Sequence, residues 1–93
     1  MAKTYARRPG FVTANLNDEL ALLDLAKGTY LGFNATAAHL WRLFDAPHTL
    51  DALCEAMMAE FDVDAERCRT EVTALLAKLV AEGMIQEDDD GVD

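Results

Sequence analysis

The chain has 93 residues, of which 52% are hydrophobic and 27% charged, a balance that favours one small globular domain over a disordered chain. Its formal net charge is −9, and so acidic a chain repels the phosphate backbone of nucleic acids, which argues against DNA binding. The apolar runs are too short to span a membrane and the basic start has no apolar region behind it, so we expect a cytoplasmic protein rather than a secreted one.

The two ends of the chain differ in composition from the part between them. Residues 1–9 show no hydrophobic periodicity and end in proline, so we predict a flexible N-terminal arm. Residues 87–93 are dominated by acids, which is typical of an acidic disordered tail. The folded domain is therefore expected over residues 10–86.

Before residue 34, short apolar runs are separated by Asn, Asp and Gly, a pattern that predicts strands joined by tight turns. The predicted strands cover residues 11–16, 19–24 and 29–33. Asn17 and Asp18 form the first turn, and Gly28 can supply a positive φ in the second. We therefore expect a three-stranded antiparallel meander.

After residue 34, apolar residues recur at three- and four-residue spacing, which predicts helices. Asn34, Thr49 and Asp64 are suited to cap three successive helices, because their side-chain oxygens can accept the free N–H groups of a first turn. The second helix is expected to close near residue 60 and the third before Gly83, with residues 84–86 lying back against the sheet. The predicted fold class is α+β, a winged helix-turn-helix-like arrangement in which a three-stranded antiparallel sheet is followed by three helices.

The sequence shows no arrangement of residues that is typical of catalysis, and the acids of its predicted helices are spread along their solvent faces. Cys54 and Cys68 fall on apolar helix faces, where free cysteine packs as a small hydrophobe, and no C-x-x-C pair indicates a metal site. Nothing in the sequence orients His39 or His48 toward a nucleophile. We therefore predict no catalytic residue, no cofactor and no metal, and so a protein that is not an enzyme.

The third predicted strand is the most informative surface. If it lies at a sheet edge, its free N–H and C=O groups can pair with an added peptide strand, and a helix beside it would complete a groove. Alternatively, the chain's own ends or a second copy cover this edge. The residues alone leave both possibilities open.

One motif order carries a family resemblance. It consists of Asp24-x-x-x-Gly28-x-Tyr30, then Asn34-x-Thr36-Ala37, then Trp41, and the likeness extends over about residues 10–86. The chain resembles the PqqD-like family, the RiPP recognition elements that bind leader peptides of ribosomally made, modified peptides. The stretch Leu25-Ala26-Lys27 departs from the Pro-Glu-Gly version of pyrroloquinoline quinone pathways, and Phe33 stands where family members commonly have Leu.

The resemblance implies a non-catalytic module that seats the leader of a precursor as an extra strand on the third strand, with the third helix as the other wall. The residues it assigns to leader binding are Thr29, Tyr30, Leu31, Gly32 and Phe33 on the strand, and Arg67, Arg69, Thr73, Leu76 and Val80 on the helix. One flank of that helix holds Arg69, Thr73, Leu76 and Val80, and the other holds Arg67, Glu71, Ala74 and Lys78. We favour the first flank because Leu76 and Val80 widen its apolar surface, and the two arginines are candidates to meet acidic leader side chains.

The implied partners are a precursor peptide and a peptidase or other maturation enzyme, with a lasso-peptide type preferred and a homodimer left open. The alternatives are a winged-helix transcriptional regulator, which the net charge disfavours, and a structural dimerisation domain.

Overall fold

The computed structural model describes residues 3–89, and within them the chain forms six strands and three helices. The strands are β1 (Lys3–Arg7), β2 (Phe11–Leu16), β3 (Glu19–Asp24), β4 (Thr29–Phe33), β5 (His48–Thr49) and β6 (Ile85–Asp89). The helices are α1 (Ala35–Leu43), α2 (Leu50–Glu60) and α3 (Ala65–Ala81). None of the helices in this described part is long and apolar enough to cross a membrane.

Strands β2, β3 and β4 form the antiparallel meander that the sequence predicts, in the order β2-β3-β4. Asn17 adopts a left-handed φ of 61° in the first turn, a conformation that asparagine tolerates better than most residues. Gly28 has a φ of 72° in the second turn, and its N–H donates to the carbonyl of Asp24 at 2.8 Å. The predicted strands, turns and fold class are confirmed.

The predicted flexible arm is wrong for residues 3–7, and the predicted disordered tail is wrong for residues 87–89. Strand β1 is the centre of a second sheet, ordered β5-β1-β6, and it pairs with β6 from Lys3↔Asp89 to Arg7↔Ile85. The two ends satisfy each other's backbone groups, an arrangement that no local sequence signal reveals. Residues 1–2 and 90–93, where the arm and tail predictions also fall, lie outside the described residues.

All three helix caps are confirmed. The side-chain oxygens of Asn34, Thr49 and Asp64 accept from backbone N–H groups three residues later, at 2.9, 3.1 and 2.7 Å. Helix α3 ends at the predicted place, because Gly83 has a φ of 75° and its N–H donates to Val80 at 3.0 Å.

The core lies between the meander and the helices, with Trp41 at its centre. Phe11, Phe33 and Phe44 surround the indole with ring centroids 5.9–6.1 Å away, in tilted or edge-to-face contact. The buried face of α1 consists of Ala38, Leu40 and Trp41. This packing fixes α1 under the sheet and leaves α3 beside β4.

Candidate functional site

Strand β4 lies at an edge of its sheet. Among the described strands it is hydrogen-bonded only to β3, so the N–H and C=O groups on its other side have no strand partner. Leu31 lies opposite Leu22, which is buried, so its side chain points to the inner face of the sheet. Tyr30 points to the outer face and is 75% exposed. The edge is therefore available to another chain and has two chemically different sides.

A groove follows this edge and has α3 as its second wall. We call it the β4–α3 groove; it consists of two adjoining cavities of about 340 and 510 Å³ that share Asn34, Ala37 and Leu75. The smaller cavity lies along the strand and is also lined by Leu31, Gly32, Phe33, Lys78, Leu79, Glu82 and Met84. The larger one continues past the start of α1 and is also lined by Thr36, Leu40, Met57, Phe61, Asp62, Val63, Arg67, Cys68, Glu71 and Val72.

The larger cavity has an apolar floor and a charged rim. On the rim, Nε of Arg67 donates to Oε2 of Glu71 at 2.9 Å, and this hydrogen bond raises the pKa of the arginine above its ordinary value. The two charges offset each other one helical turn apart. The charge of the rim arginine is therefore already offset and does not favour an anionic side chain here.

The structure brings part of the predicted site together. Leu31, Gly32, Phe33 and Arg67 line the groove, and Thr29 and Tyr30 border a small cavity of about 80 Å³ at its far end.

The remaining predicted residues, on the favoured flank of α3, line none of these cavities. Leu76 is 3% exposed and packs in the core, so it does not widen an exposed surface. Arg69 donates to Oδ1 of Asp51 at 2.7 Å, on the side of α3 that faces α2. Thr73 is exposed and Val80 is half-buried, both away from the groove. Whether any of these residues contacts a peptide stays a prediction.

Several groove residues escaped the sequence interpretation. Leu75 is half-buried and lines both cavities, but it was not among the residues assigned to leader binding. Glu71 and Lys78 belong to the flank that was not favoured, and Glu82 closes the helix beside them. Phe61 directly follows the last residue of α2 and lines the larger cavity. Phe61 and Val63 are separated by a single acid between two predicted helices. This pattern was the available sequence signal for a turn whose apolar side chains line the cavity.

The thiols at the floor are chemically quiet. Cys68 lines the larger cavity, and its Sγ lies 3.8 Å from the carbonyl oxygen of Cys54, to which it donates. Burial raises the pKa of the Cys54 thiol, as does the neighbouring Cys68, so the thiolate that would act as a nucleophile is disfavoured. Within residues 3–89, no three His, Cys, Asp or Glu side chains are arranged to hold a metal ion.

Comparison with known proteins gives two kinds of match. The family model of coenzyme PQQ synthesis protein D (PqqD) matches residues 19–85, more than half of the chain. A comparison with curated proteins found no match. Among solved structures, TbiB1 in complex with the TbiA(beta) leader peptide is similar at 25% identity with a TM-score of 0.77, covering 95% of this chain and 98% of that one. A lasso peptide synthetase B1 complexed with the leader peptide is similar at 28% identity with a TM-score of 0.73, covering 88% and 96%.

Proposed function

Because this chain belongs to the PqqD family, we propose that it is a non-catalytic module that binds the leader of a ribosomally made precursor by β-strand addition and presents the precursor to a maturation enzyme. The observation that carries the proposal is the free, uncharged edge of β4 beside a groove walled by α3. Two solved relatives of the same fold are complexes with leader peptides, and one of them is a lasso peptide synthetase component, which supports a lasso-type precursor.

In this proposal the leader extends the meander as a strand next to β4. Its main chain exchanges hydrogen bonds with β4, each with a net value of about 0.5–1.5 kcal/mol, so a few of them fix position without giving much selectivity. Alternate leader side chains then point inward, over Leu31 and Leu75, and outward, beside Tyr30. The inward side chains carry the selectivity.

The larger cavity is the anchoring point in this proposal. Its floor is built from apolar side chains and its rim arginine is already paired with Glu71, so it accepts a large apolar or aromatic side chain of the leader. Full burial of such a side chain contributes about 1.5–3 kcal/mol. That contribution exceeds what an exposed ion pair at the rim would add.

We assign the peptide-facing side of α3 to Arg67, Glu71, Leu75 and Lys78, in place of the flank favoured from the sequence. Leu75 and Lys78 line the smaller cavity together with β4. The charge of Arg69 is already used by Asp51, which weakens its case as the partner of an acidic leader residue. The pairing of both arginines with carboxylates also argues against the alternative of a DNA-binding regulator, which needs free cations on one face.

The maturation enzyme, which we take to be a leader peptidase, has a candidate docking surface on the outer face of the meander. Val12, Leu23 and Tyr30 form one cross-strand row there, and all three are exposed. An added leader strand would continue this row with its own outward side chains, so an enzyme on this face would contact module and peptide together.

A cytoplasmic location remains part of the proposal, with which the two free, buried thiols are consistent.

The binding test uses peptides selected from a displayed library of random twelve-residue sequences, followed by calorimetry with the tightest binder. Leu75→Ala is expected to weaken binding by about 1–2 kcal/mol, since a half-buried side chain at the centre of the groove is removed. Val80→Ala, an equally conservative truncation on the opposite flank, is the matched control and should leave the affinity unchanged. If Val80→Ala weakens binding and Leu75→Ala does not, the peptide uses the other flank; if no peptide is selected, the proposed function fails.

The docking test starts from any leader peptidase and short precursor genes found in the genomic neighbourhood of this gene. Leu23→Lys places a charge in the middle of the outer apolar row and is expected to slow leader cleavage at least about tenfold while leaving leader affinity intact. Thr70→Lys adds the same charge on the exposed side of α3 and should leave cleavage unchanged. Equal cleavage by both variants would place the enzyme on a different surface.

A further inference from the structure

The other edge of the meander, along β2, is as open as the edge along β4. Strand β2 is hydrogen-bonded to β3 alone among the described strands, and every residue from Val12 to Glu19 is exposed. No charged residue and no proline interrupts Phe11–Leu16. Edge strand β6, by contrast, carries Glu87 and Asp88, and such charges are the usual protection against unwanted strand pairing. An edge without that protection is suited to a specific partner strand.

We propose that the partner is a second copy of this chain, with the two β2 strands paired antiparallel across a two-fold axis beside Ala14. The two meanders would join into one six-stranded sheet with a β4 edge at each end. Both β4–α3 grooves would remain open, so one dimer would carry two peptide sites. The dimer itself needs no bound peptide.

The alternation of side chains and the pairing of the largest exposed apolar residues together select the register. Val12, Ala14 and Leu16 lie on the outer face of the meander, because Val12 is opposite the outward-facing Leu23. Directly opposite residues in an antiparallel pair share a face, so keeping the outer faces together requires outer residues to oppose outer residues. Centring the axis on Ala14 pairs Val12 of one copy with Leu16 of the other, twice. These side chains are 51% and 56% exposed in the single chain, and each would cover the other.

Charge complementarity supports the same antiparallel arrangement. Arg8 lies just before β2, whereas Asp18 and Glu19 follow it in the turn. None of the three takes part in an ion pair within residues 3–89. Antiparallel pairing brings the Arg8 end of one copy to the acidic turn of the other, again twice. A parallel arrangement would instead align the acidic turns and repel.

The overall charge limits the strength of this dimer. Each copy carries −9, so the two molecules repel at long range, and the repulsion is screened within about 8 Å at physiological ionic strength. The pairing surface is one short strand, which is typical of transient assemblies. The dimer should therefore be concentration-dependent and should strengthen as salt is raised from about 0.01 to 0.15 M.

Sedimentation equilibrium over about 10 μM to 1 mM protein tests the dimer directly. Wild type should dimerise, and Ala14→Lys and Ala14→Glu should each weaken the dimer at least about tenfold, because two like charges meet at the axis. Mixing these two variants should restore association as a heterodimer, while Ala14→Ser, the neutral control, should behave as wild type. A monomeric wild type at 1 mM, or unchanged association of Ala14→Lys, would overturn the proposal.

Cross-linking gives a readout that survives even if a charged variant folds poorly. Opposite Cβ atoms in an antiparallel pair lie about 4.5–5.5 Å apart, close to the span of a disulfide, so Ala14→Cys should link to itself under a glutathione redox buffer. The native thiols are buried and should not compete. Thr70→Cys, on the exposed side of α3, is the control for random collision. Equal cross-linking of both variants would contradict the register.

Discussion

Arg7 connects the second sheet to the end of α1, and its truncation gives a sharp test of this packing. Its Nη2 atom donates to the carbonyl oxygens of Trp41 and Arg42 at 3.3 and 3.5 Å, and its guanidinium lies 5.2 Å from the centre of the Trp41 ring. These carbonyls belong to the last turn of α1, where the helix dipole favours a cation. Arg7 therefore caps the helix and covers the core tryptophan at the same time.

The expected cost of Arg7→Ala follows from these contacts. Both hydrogen bonds are long, so together they contribute about 1 kcal/mol, and the cation–π contact adds about 0.5–1 kcal/mol. The buried Nε of Arg7 has no hydrogen-bond partner among the described residues. Removing this unsatisfied group therefore recovers part of the lost stability. The net loss should be about 1–2 kcal/mol in the free energy of unfolding, which lowers the melting temperature of a domain this size by roughly 4–16 °C.

Urea denaturation followed by Trp41 fluorescence measures this loss. Lys3→Ala, on the same strand, removes only an exposed contact to Glu87 at 3.7 Å and should cost less than about 0.5 kcal/mol. Arg7→Lys keeps the charge but not the planar fork and should fall between wild type and Arg7→Ala. Equal losses for Lys3→Ala and Arg7→Ala would refute the view that Arg7 links β1 to α1.

Three further predictions rest on local chemistry. Asn34→Ala should destabilise the protein by about 1 kcal/mol in urea, because α1 loses its cap, whereas Asn34→Asp should retain most of the stability. Burial raises the pKa of Tyr5 above its ordinary value of 10 and that of Cys54 above its ordinary value of 9. The fold therefore favours the protonated form of both groups. The stability that they contribute is present below those values and is lost as pH rises above about 9 to 10. Tyr5→Phe also removes the hydrogen bond from the Tyr5 hydroxyl to Glu87, so the difference in melting temperature between wild type and Tyr5→Phe should stay constant from pH 7 to about 9 and change only at the alkaline end. Gly28→Ala should cost about 1 kcal/mol because φ is 72°, while Gly32→Ala, with open space around an added Cβ, should be close to neutral in the same melts.

Where a local signal existed, the sequence predicted the structure to the residue. The three strands of the meander and the capped starts of all three helices depend on contacts between residues a few positions apart. Turn residues such as Asn17 and Gly28 restrict the backbone whatever the rest of the chain does. These elements were therefore accessible without any knowledge of tertiary packing.

The second sheet was inaccessible for the opposite reason. Strand β1 pairs with β6 across the whole length of the domain, so nothing near either strand reports the pairing. The acids of β6 are those expected of a solvated tail, and only the partner strand makes them part of a sheet. For a similar reason, the sequence could not show which flank of α3 lines the β4–α3 groove. Leu75 and Leu76 are adjacent and equally apolar, and only the packing of the helix decides which one enters the core.

The two sheets differ in how their edge strands are protected against pairing with another chain. This difference indicates which edges are available to partners. Edge strand β6 carries Glu87 and Asp88, which repel an approaching strand, and β5 is only two residues long. The meander has uncharged edges on both sides, with apolar side chains next to each.

Such edges invite aggregation unless a specific partner uses them, so keeping both open has a cost that a purely structural domain would avoid. The acidity of the whole molecule reduces that cost, because mutual repulsion at long range leaves only partners with matching contacts at the edge. A peptide on β4 and a second copy on β2 are partners of that kind, and they do not compete because three strands separate the two edges.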